Sequence, residues 1–165
     1  MKKIALFIHY VVKIFYLRVY LVRGNSMMPS FTEGDFLLVN FAAYTKQMPT
    51  RGDLVVIRDP QGMERRYLKR VIGLPGEEIR LFDGVLMIDG DYTPELYLRG
   101  LPSELGLTGY TCQLEANQYF VMGDNRTHST DSRKFGPISS ELILGNVRIR
   151  FWPFGRLRFL NKFNL

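Results

Sequence analysis

Cysteine is nearly absent. Cys112 is the only one in 165 residues, so no disulfide can close within the chain. Histidine is almost as scarce, with His9 and His128 alone, and no His/Cys/acid cluster stands at metal-ligand spacing. Neither a resident metal nor any other cofactor is expected. The net formal charge is +6, yet no basic block is longer than Lys2-Lys3 or Arg65-Arg66. A nucleic-acid partner is therefore not expected, since such partners select clustered cations on one face. No internal repeat and no low-complexity tract is present. With 46% hydrophobic and 23% charged residues, the composition is that of a globular domain with a real core.

A long uncharged apolar run is also missing. Residues 4–22 are mostly apolar or aromatic, but Lys13 and Arg18 interrupt them, and the longest uncharged run is 4–12. A clean transmembrane helix wants about 20 predominantly apolar residues. On a helical wheel Lys2, His9 and Lys13 share one narrow stripe, which suits an interfacial helix or a short span with snorkelling lysines. A helix packed on a soluble domain and a removed segment are the other readings. No small-x-small cleavage site follows Lys2-Lys3 before residue 24, which argues against a secretory leader.

From residue 19 onward the pattern changes to short strands. β-branched or apolar runs at 19–23, 35–40, 53–58 and 66–72 are bounded by Gly, Pro and Asp. Residues 78–82 and 85–88 flank Asp83-Gly84, the expected two-residue turn of a hairpin. Residues 89–117 are rich in Gly, Pro and Thr and read as an insertion or small subdomain. Residues 119–122 form a strand, and 139–144 one helical turn capped by Ser139 and stopped by Gly145. Residues 146–152 form the last strand. The fold class is mainly β, irregular and barrel-like.

Three runs carry chemistry. Ser26 lies in Gly24-Asn25-Ser26-Met27-Met28-Pro29-Ser30, a turn constrained by Gly and Pro. Lys69 lies in Leu68-Lys69-Arg70-Val71-Ile72-Gly73-Leu74-Pro75-Gly76. A serine hydroxyl needs a base to act as a nucleophile near neutral pH. An ordinary lysine is the wrong base, with a free pKa of about 10.4, but burial among apolar groups lowers it. Lys69 and Arg70 face opposite sides of a strand, so only one of them lines such a site. The bland alternative is an exposed charged pair at a strand edge. The third run is Gly123-Asp124-Asn125-Arg126-Thr127-His128-Ser129-Thr130-Asp131-Ser132-Arg133. It suits a loop stapled by acid–arginine pairs, in which Ser129 can turn its hydroxyl toward a nearby amine. The alternative there is a polar surface loop. A Ser–His–Asp triad from Ser26, His128 and Asp124 or Asp131 can also be drawn, although a loop histidine is more often solvated than catalytic.

In identity and order these runs resemble those of bacterial type I signal peptidases, membrane-bound serine proteases of peptidase family S26. Gly24-x-Ser26-Met27-x-Pro29, Gly34-Asp35 with Val39, Arg51-Gly52-Asp53-Leu54-Val55-Val56, the Lys69 run and residues 123–133 all take part. The similarity covers residues 19–153. It implies that Ser26 is the nucleophile and Lys69 the general base, with Ser129 orienting the lysine. Asp124, Arg70, Asp131 and Arg133 then become supporting ion-pair residues. The family fold it implies is mostly antiparallel β with an inserted subdomain, matching 77–117 here, behind an N-terminal apolar segment at 1–18. The catalytic domain is then 19–165. Gly24 stands where some members have a serine that helps bind the oxyanion, leaving that task to the Ser26 N–H and another donor. Ser30 stands where threonine is frequent.

The expected activity is removal of signal peptides from exported preproteins, with membrane lipid as the other partner. The expected location is the plasma membrane, with the catalytic domain on the extracytoplasmic side. Two other readings stay open. One is a related Ser/Lys protease for another target, such as conjugative pilus maturation. A self-cleaving repressor is a poorer version of it, because 1–18 is too short for a DNA-binding module. The second is a catalytically silent basic β module that binds membrane or nucleic acid.

Overall fold

The computed structural model describes residues 16–98 and 109–160. Most of the apolar N-terminal stretch, with Lys2-Lys3, His9 and Lys13, lies outside the described residues. So does the middle of the 77–117 segment. Among the described residues, no helix is long and apolar enough to cross a membrane.

The chain is mainly β, and every strand pairing among the described residues is antiparallel. Twelve strands are described. They are β1 (Leu17–Leu21), β2 (Phe36–Asn40), β3 (Leu54–Arg58), β4 (Arg66–Gly73), β5 (Glu78–Phe82) and β6 (Val85–Ile88), then β7 (Asp91–Tyr92), β8 (Tyr110–Gln113), β9 (Gln118–Met122), β10 (Ile138–Ser139), β11 (Ile143–Trp152) and β12 (Arg158–Phe159). The larger sheet has the order β1-β2-β11-β3-β4-β9-β10, with β12 on β11. The smaller sheet has the order β7-β6-β5-β8. One short helix, α1 (Ser132–Phe135), follows the 123–131 loop.

Alternation in β3 explains how the larger sheet is buried on both sides. Leu54 and Val56 join a cluster with Met27, Phe31, Leu37 and Val39, whereas Val55 and Ile57 join Val71, Tyr119, Val121 and Ile138. A period-2 strand sends successive side chains to opposite faces, so a run of four apolar residues fills two cores at once. The third cluster joins the sheets, with Ile72, Phe120 and Met122 against Ile79, Leu81, Leu86 and Ile88. Gly73 permits that contact, because a Cβ there would stand 2.6 Å from Ile79 and 2.7 Å from Leu114.

The Asp83-Gly84 hairpin forms in the expected register, with Phe82 opposite Val85. Asp83 takes φ 44° and Gly84 φ 77°, the pair of positive values that the tight turn requires. The helical turn expected at 139–144 needs correction. Ser139 does cap a single 3-10 turn, Ser140–Leu142, by accepting from the Glu141 N–H at 3.4 Å. Gly145 does not stop a helix but belongs to β11, where a Cβ would meet the Asn40 carbonyl at 2.7 Å. It is glycine because two strands approach closely there.

Candidate active site

The serine turn is a closed loop. Val22 N–H donates to Asp35 O at 2.9 Å and Gly34 N–H to Val22 O at 3.0 Å, which pins its neck. Met27 and Phe31 bury their side chains in the core below, and Phe31 N–H donates to Met27 O at 2.9 Å. Burial of two such side chains contributes about 2–3 kcal/mol each. Gly24 supplies φ 75°, so the chain can bend just before Ser26. The Asp35 carboxylate, wholly buried, accepts from Thr32 N–H at 3.1 Å, Arg156 at 2.7 Å and Arg150 at 3.4 Å. These bonds tie the turn to the end of β11 and the segment after it.

Lys69 approaches from β4, a central strand paired with β3 and β9. Its Nζ lies 3.0 Å from Ser26 Oγ. The side chain is only 2% exposed, so the reading of Lys69-Arg70 as a solvated edge pair does not hold. Burial pushes the amine down to about 8, against the nearby Asp131 and Asp124 carboxylates, which raise it. The ring of Tyr67, two residues earlier on the same face, has its centroid 5.5 Å from Nζ.

Arg70 leaves the opposite face of β4 and is also fully buried. It grips Asp124 through two parallel hydrogen bonds, Nε–Oδ1 at 2.8 Å and Nη2–Oδ2 at 2.6 Å, and its Nη1 donates to Gly52 O at 3.1 Å. Such a fork-to-carboxylate pair is specific to arginine. Asp131 is held by Arg133 at 2.9 Å through both carboxylate oxygens and by the Gly123 N–H at 2.9 Å, and it caps α1. Burial alone would raise its pKa. The Arg133 guanidinium and the Gly123 N–H outweigh that and hold it below the ordinary value.

The 123–131 loop packs directly on the serine turn. Asn125 N–H donates to the Ser26 carbonyl at 3.0 Å, and its amide Nδ2 donates to Asn25 O at 3.0 Å. Gly123 is the tightest point, where a Cβ would stand 2.4 Å from Ser26 O and 2.3 Å from Ser129 Oγ. Ser129 Oγ is buried and makes no hydrogen bond of good geometry, though it stands near enough to Asp131 to help lower that carboxyl's pKa. His128 is exposed, with Nδ1 2.8 Å from Thr127 Oγ1. The two acids of the hypothetical triad are committed elsewhere, Asp124 to Arg70 and Asp131 to Arg133. Six of the seven expected site residues thus form the two ion pairs and the Ser26–Lys69 contact, and Ser129 stands beside them.

Sequence reasoning assigned no role to Glu95, Tyr97, Arg126 or Arg150. Arg126 pairs not within its own loop but with Glu95, at 2.6 Å from Nη1 to Oε2. Arg126 was visible in Gly123-Asp124-Asn125-Arg126, but its partner lies in a stretch without periodicity. Tertiary packing alone brings that pair together.

A serine hydroxyl set against a buried amine on an antiparallel β scaffold is an arrangement that serine peptidases use. The family model described as signal peptidase, peptidase S26, matches residues 2–152, and the chain belongs to that family. It is 36% identical to signal peptidase I of Bacillus caldolyticus over 152 residues, covering 85% of this chain and 82% of that protein. It is 34% identical to signal peptidase IB of Staphylococcus aureus (strain COL), covering 98% of this chain and 90% of that protein. The crystal structure of a signal peptidase I from Enterococcus faecalis V583 superposes with a TM-score of 0.54 at 31% identity, over 61% of this chain and 97% of that one.

Proposed function

We propose that this protein is the endopeptidase that removes signal peptides from exported preproteins, with Ser26 as nucleophile and Lys69 as general base. The observation that carries the reading is the 3.0 Å contact between Ser26 Oγ and a lysine amine held near pKa 8 by burial. A neutral amine accepts the hydroxyl proton while Ser26 Oγ attacks the scissile carbonyl. The resulting ammonium returns the proton to the leaving amine, and water then hydrolyses the acyl-enzyme. The Ser26 N–H and a second donor would stabilise the oxyanion. Arg70–Asp124 and Asp131–Arg133 keep two carboxylates near Lys69 paired, so the amine is not held charged by a free anion. Ser129 would orient it.

Specificity for small residues has a physical basis beside Ser26. The cavity there is about 40 Å³, bounded by Tyr20, Val22, Met27, Tyr67 and Leu68 together with Arg23 and Arg66. One water needs about 10–15 Å³ measured this way, so a methyl-sized side chain fits and a large one does not.

The segment ahead of β1 would seat the enzyme at the plasma membrane. The expected boundary at residue 18 moves forward, because Leu17 and Arg18 already pair with Asn40 and Val39 in the larger sheet, and the catalytic domain would begin at 17 with an inserted subdomain at 77–117. A signal peptide is an apolar segment that starts in the bilayer, and a nucleophile held just after an apolar anchor meets it at the lipid surface. Lys2-Lys3 favours a cytoplasmic N-terminus and an extracytoplasmic catalytic domain. Exposed Trp152, Phe154 and Phe159 are side chains of the kind enriched at such interfaces. Two experiments test these points. Processing of a preprotein in detergent should be lost in Ser26→Ala and in Lys69→Ala while both variants stay folded. Full-length protein should float with liposomes and a form lacking residues 1–15 should not; full-length protein left wholly in the soluble fraction contradicts the membrane seat.

A further inference from the structure

We propose that Glu95 and Tyr97, which lie just beyond β7, an edge strand of the smaller sheet, are positioning residues for the Ser26–Lys69 reaction. The inference rests on the assignment of that pair as nucleophile and base. β7 ends at Tyr92, and Thr93 N–H still donates to Leu86 O at 2.9 Å before the segment leaves the smaller sheet. A single 3-10 turn, Leu96–Leu98, then points Tyr97 back at the larger sheet. Glu95 receives both Arg126 guanidinium nitrogens, one at 2.6 Å and the other closer, with side chains 9% and 4% exposed. Tyr97 Oη accepts from Arg126 at 3.1 Å and donates to Glu95. Burial, reinforced by Glu95, keeps this phenol protonated and able to donate.

Two arms run from this cluster to the site. In the first, Arg126 Nε donates to the Gly123 carbonyl at 3.0 Å. Gly123 packs tightly enough against the Ser26 carbonyl and the Ser129 hydroxyl to exclude a Cβ, and its N–H holds Asp131. In the second arm, the Tyr97 ring lies against Arg70, with Cζ 4.1 Å from the centroid, and Arg70 holds Asp124. Asp124 and Asp131 are the two carboxylates that act on the charge of Lys69. One carboxylate and one phenol outside the larger sheet thus fix the loop that sets both the place of Ser26 and the field at Lys69. A buried, fully paired network of this kind holds its members in a single arrangement.

Glu95→Gln keeps the shape of the side chain and removes its charge. Tyr97→Phe keeps the ring on Arg70 and removes the hydroxyl bridge. The experiment measures kcat, KM and the pH dependence of kcat/KM for peptide cleavage, alongside melting curves and an NMR titration of the Lys69 side chain. Glu95→Gln should lower kcat about tenfold or more with KM changed less than about threefold. Its Lys69 titration should move upward, because a loosened loop admits water to the amine. Tyr97→Phe should show the same signs at smaller size, and Glu95→Asp should recover part of the loss. A lowered melting temperature with unmoved kcat and unmoved titration would make the cluster a structural staple and overturn the proposal. Should Glu95→Gln not fold, Tyr97→Phe carries the test by the same readouts. Ser26→Ala and Lys69→Ala run in parallel separate the two claims. Turnover surviving in either overturns the dyad, whereas dead dyad variants beside an undisturbed Glu95→Gln overturn only the positioning role.

Discussion

Lys69 and Arg70 are consecutive in β4 and leave it on opposite faces, the first to the Ser26 hydroxyl at 3.0 Å, the second into the Asp124 carboxylate at 2.6 Å. One cation is buried without a direct anionic partner and the other is clamped by one. The difference decides their chemistry. Burial pushes the amine without a direct anionic partner down to about 8, whereas the guanidinium is clamped on Asp124, one of the two carboxylates that pull the amine back upward.

Breaking the clamp should destabilise the fold. Asp124→Asn leaves the Arg70 guanidinium buried with only neutral partners, the new amide and the Gly52 carbonyl, and removal of one member of a buried pair costs about 3–5 kcal/mol. For a chain of this size each kcal/mol shifts Tm by about 2–4 °C. Differential scanning calorimetry should show a drop on the order of 10 °C. A shift within one or two degrees would show that the pair contributes little.

Removing the buried amine should do the opposite. Lys69→Met fills the same volume with an apolar chain and is expected to be inactive yet more stable at pH 7, by about 1–4 kcal/mol. The pH dependence follows from linkage. Between about 8 and 10.5 the folded protein has already released the Lys69 proton while the unfolded chain still holds it. Stability of the wild type therefore rises with pH across that window, and the advantage of Lys69→Met shrinks there. Denaturant melts at pH 7 and pH 10 check the sign. An advantage that grows with pH would contradict the depressed amine.

Gly123→Ala should remove activity out of proportion to its size. The added methyl would overlap the Ser26 carbonyl and the Ser129 hydroxyl, both within 2.4 Å of its position. A loss of at least about 10²-fold in kcat/KM is expected, because a displacement near 1 Å at a reacting group costs that much. Peptide hydrolysis assays read it directly, and activity within threefold of wild type would mean the loop can yield.

Most of the strand plan was legible from residue 19 onward because apolar runs and punctuating Gly, Pro and Asp carry it locally. The 78–82 and 85–88 hairpin could be placed to the residue, since Asp83-Gly84 fixes its turn. The Ser26–Lys69 pair was legible as chemistry, but not its geometry; nothing in Leu68-Lys69-Arg70 says which cation faces which side. Gly145 was misread because a glycine after a helical turn and a glycine at a close strand approach look alike in sequence. The Glu95–Arg126 pair was invisible for another reason. It joins residues 31 apart in sequence through a turn with no periodic pattern, and such contacts are set by tertiary packing alone.

The central claim is that buried Lys69, in its neutral form, is the base for Ser26. Its most direct test compares two titrations of the wild-type protein, the Lys69 side chain by NMR and kcat/KM for preprotein cleavage. Both are expected to turn near pH 8, with kcat/KM falling about tenfold per unit below it. His128→Ala should leave both curves in place. An amine that titrates near 10.5 while cleavage turns on near 6–7, together with loss of activity in His128→Ala, would contradict the account and restore a histidine base.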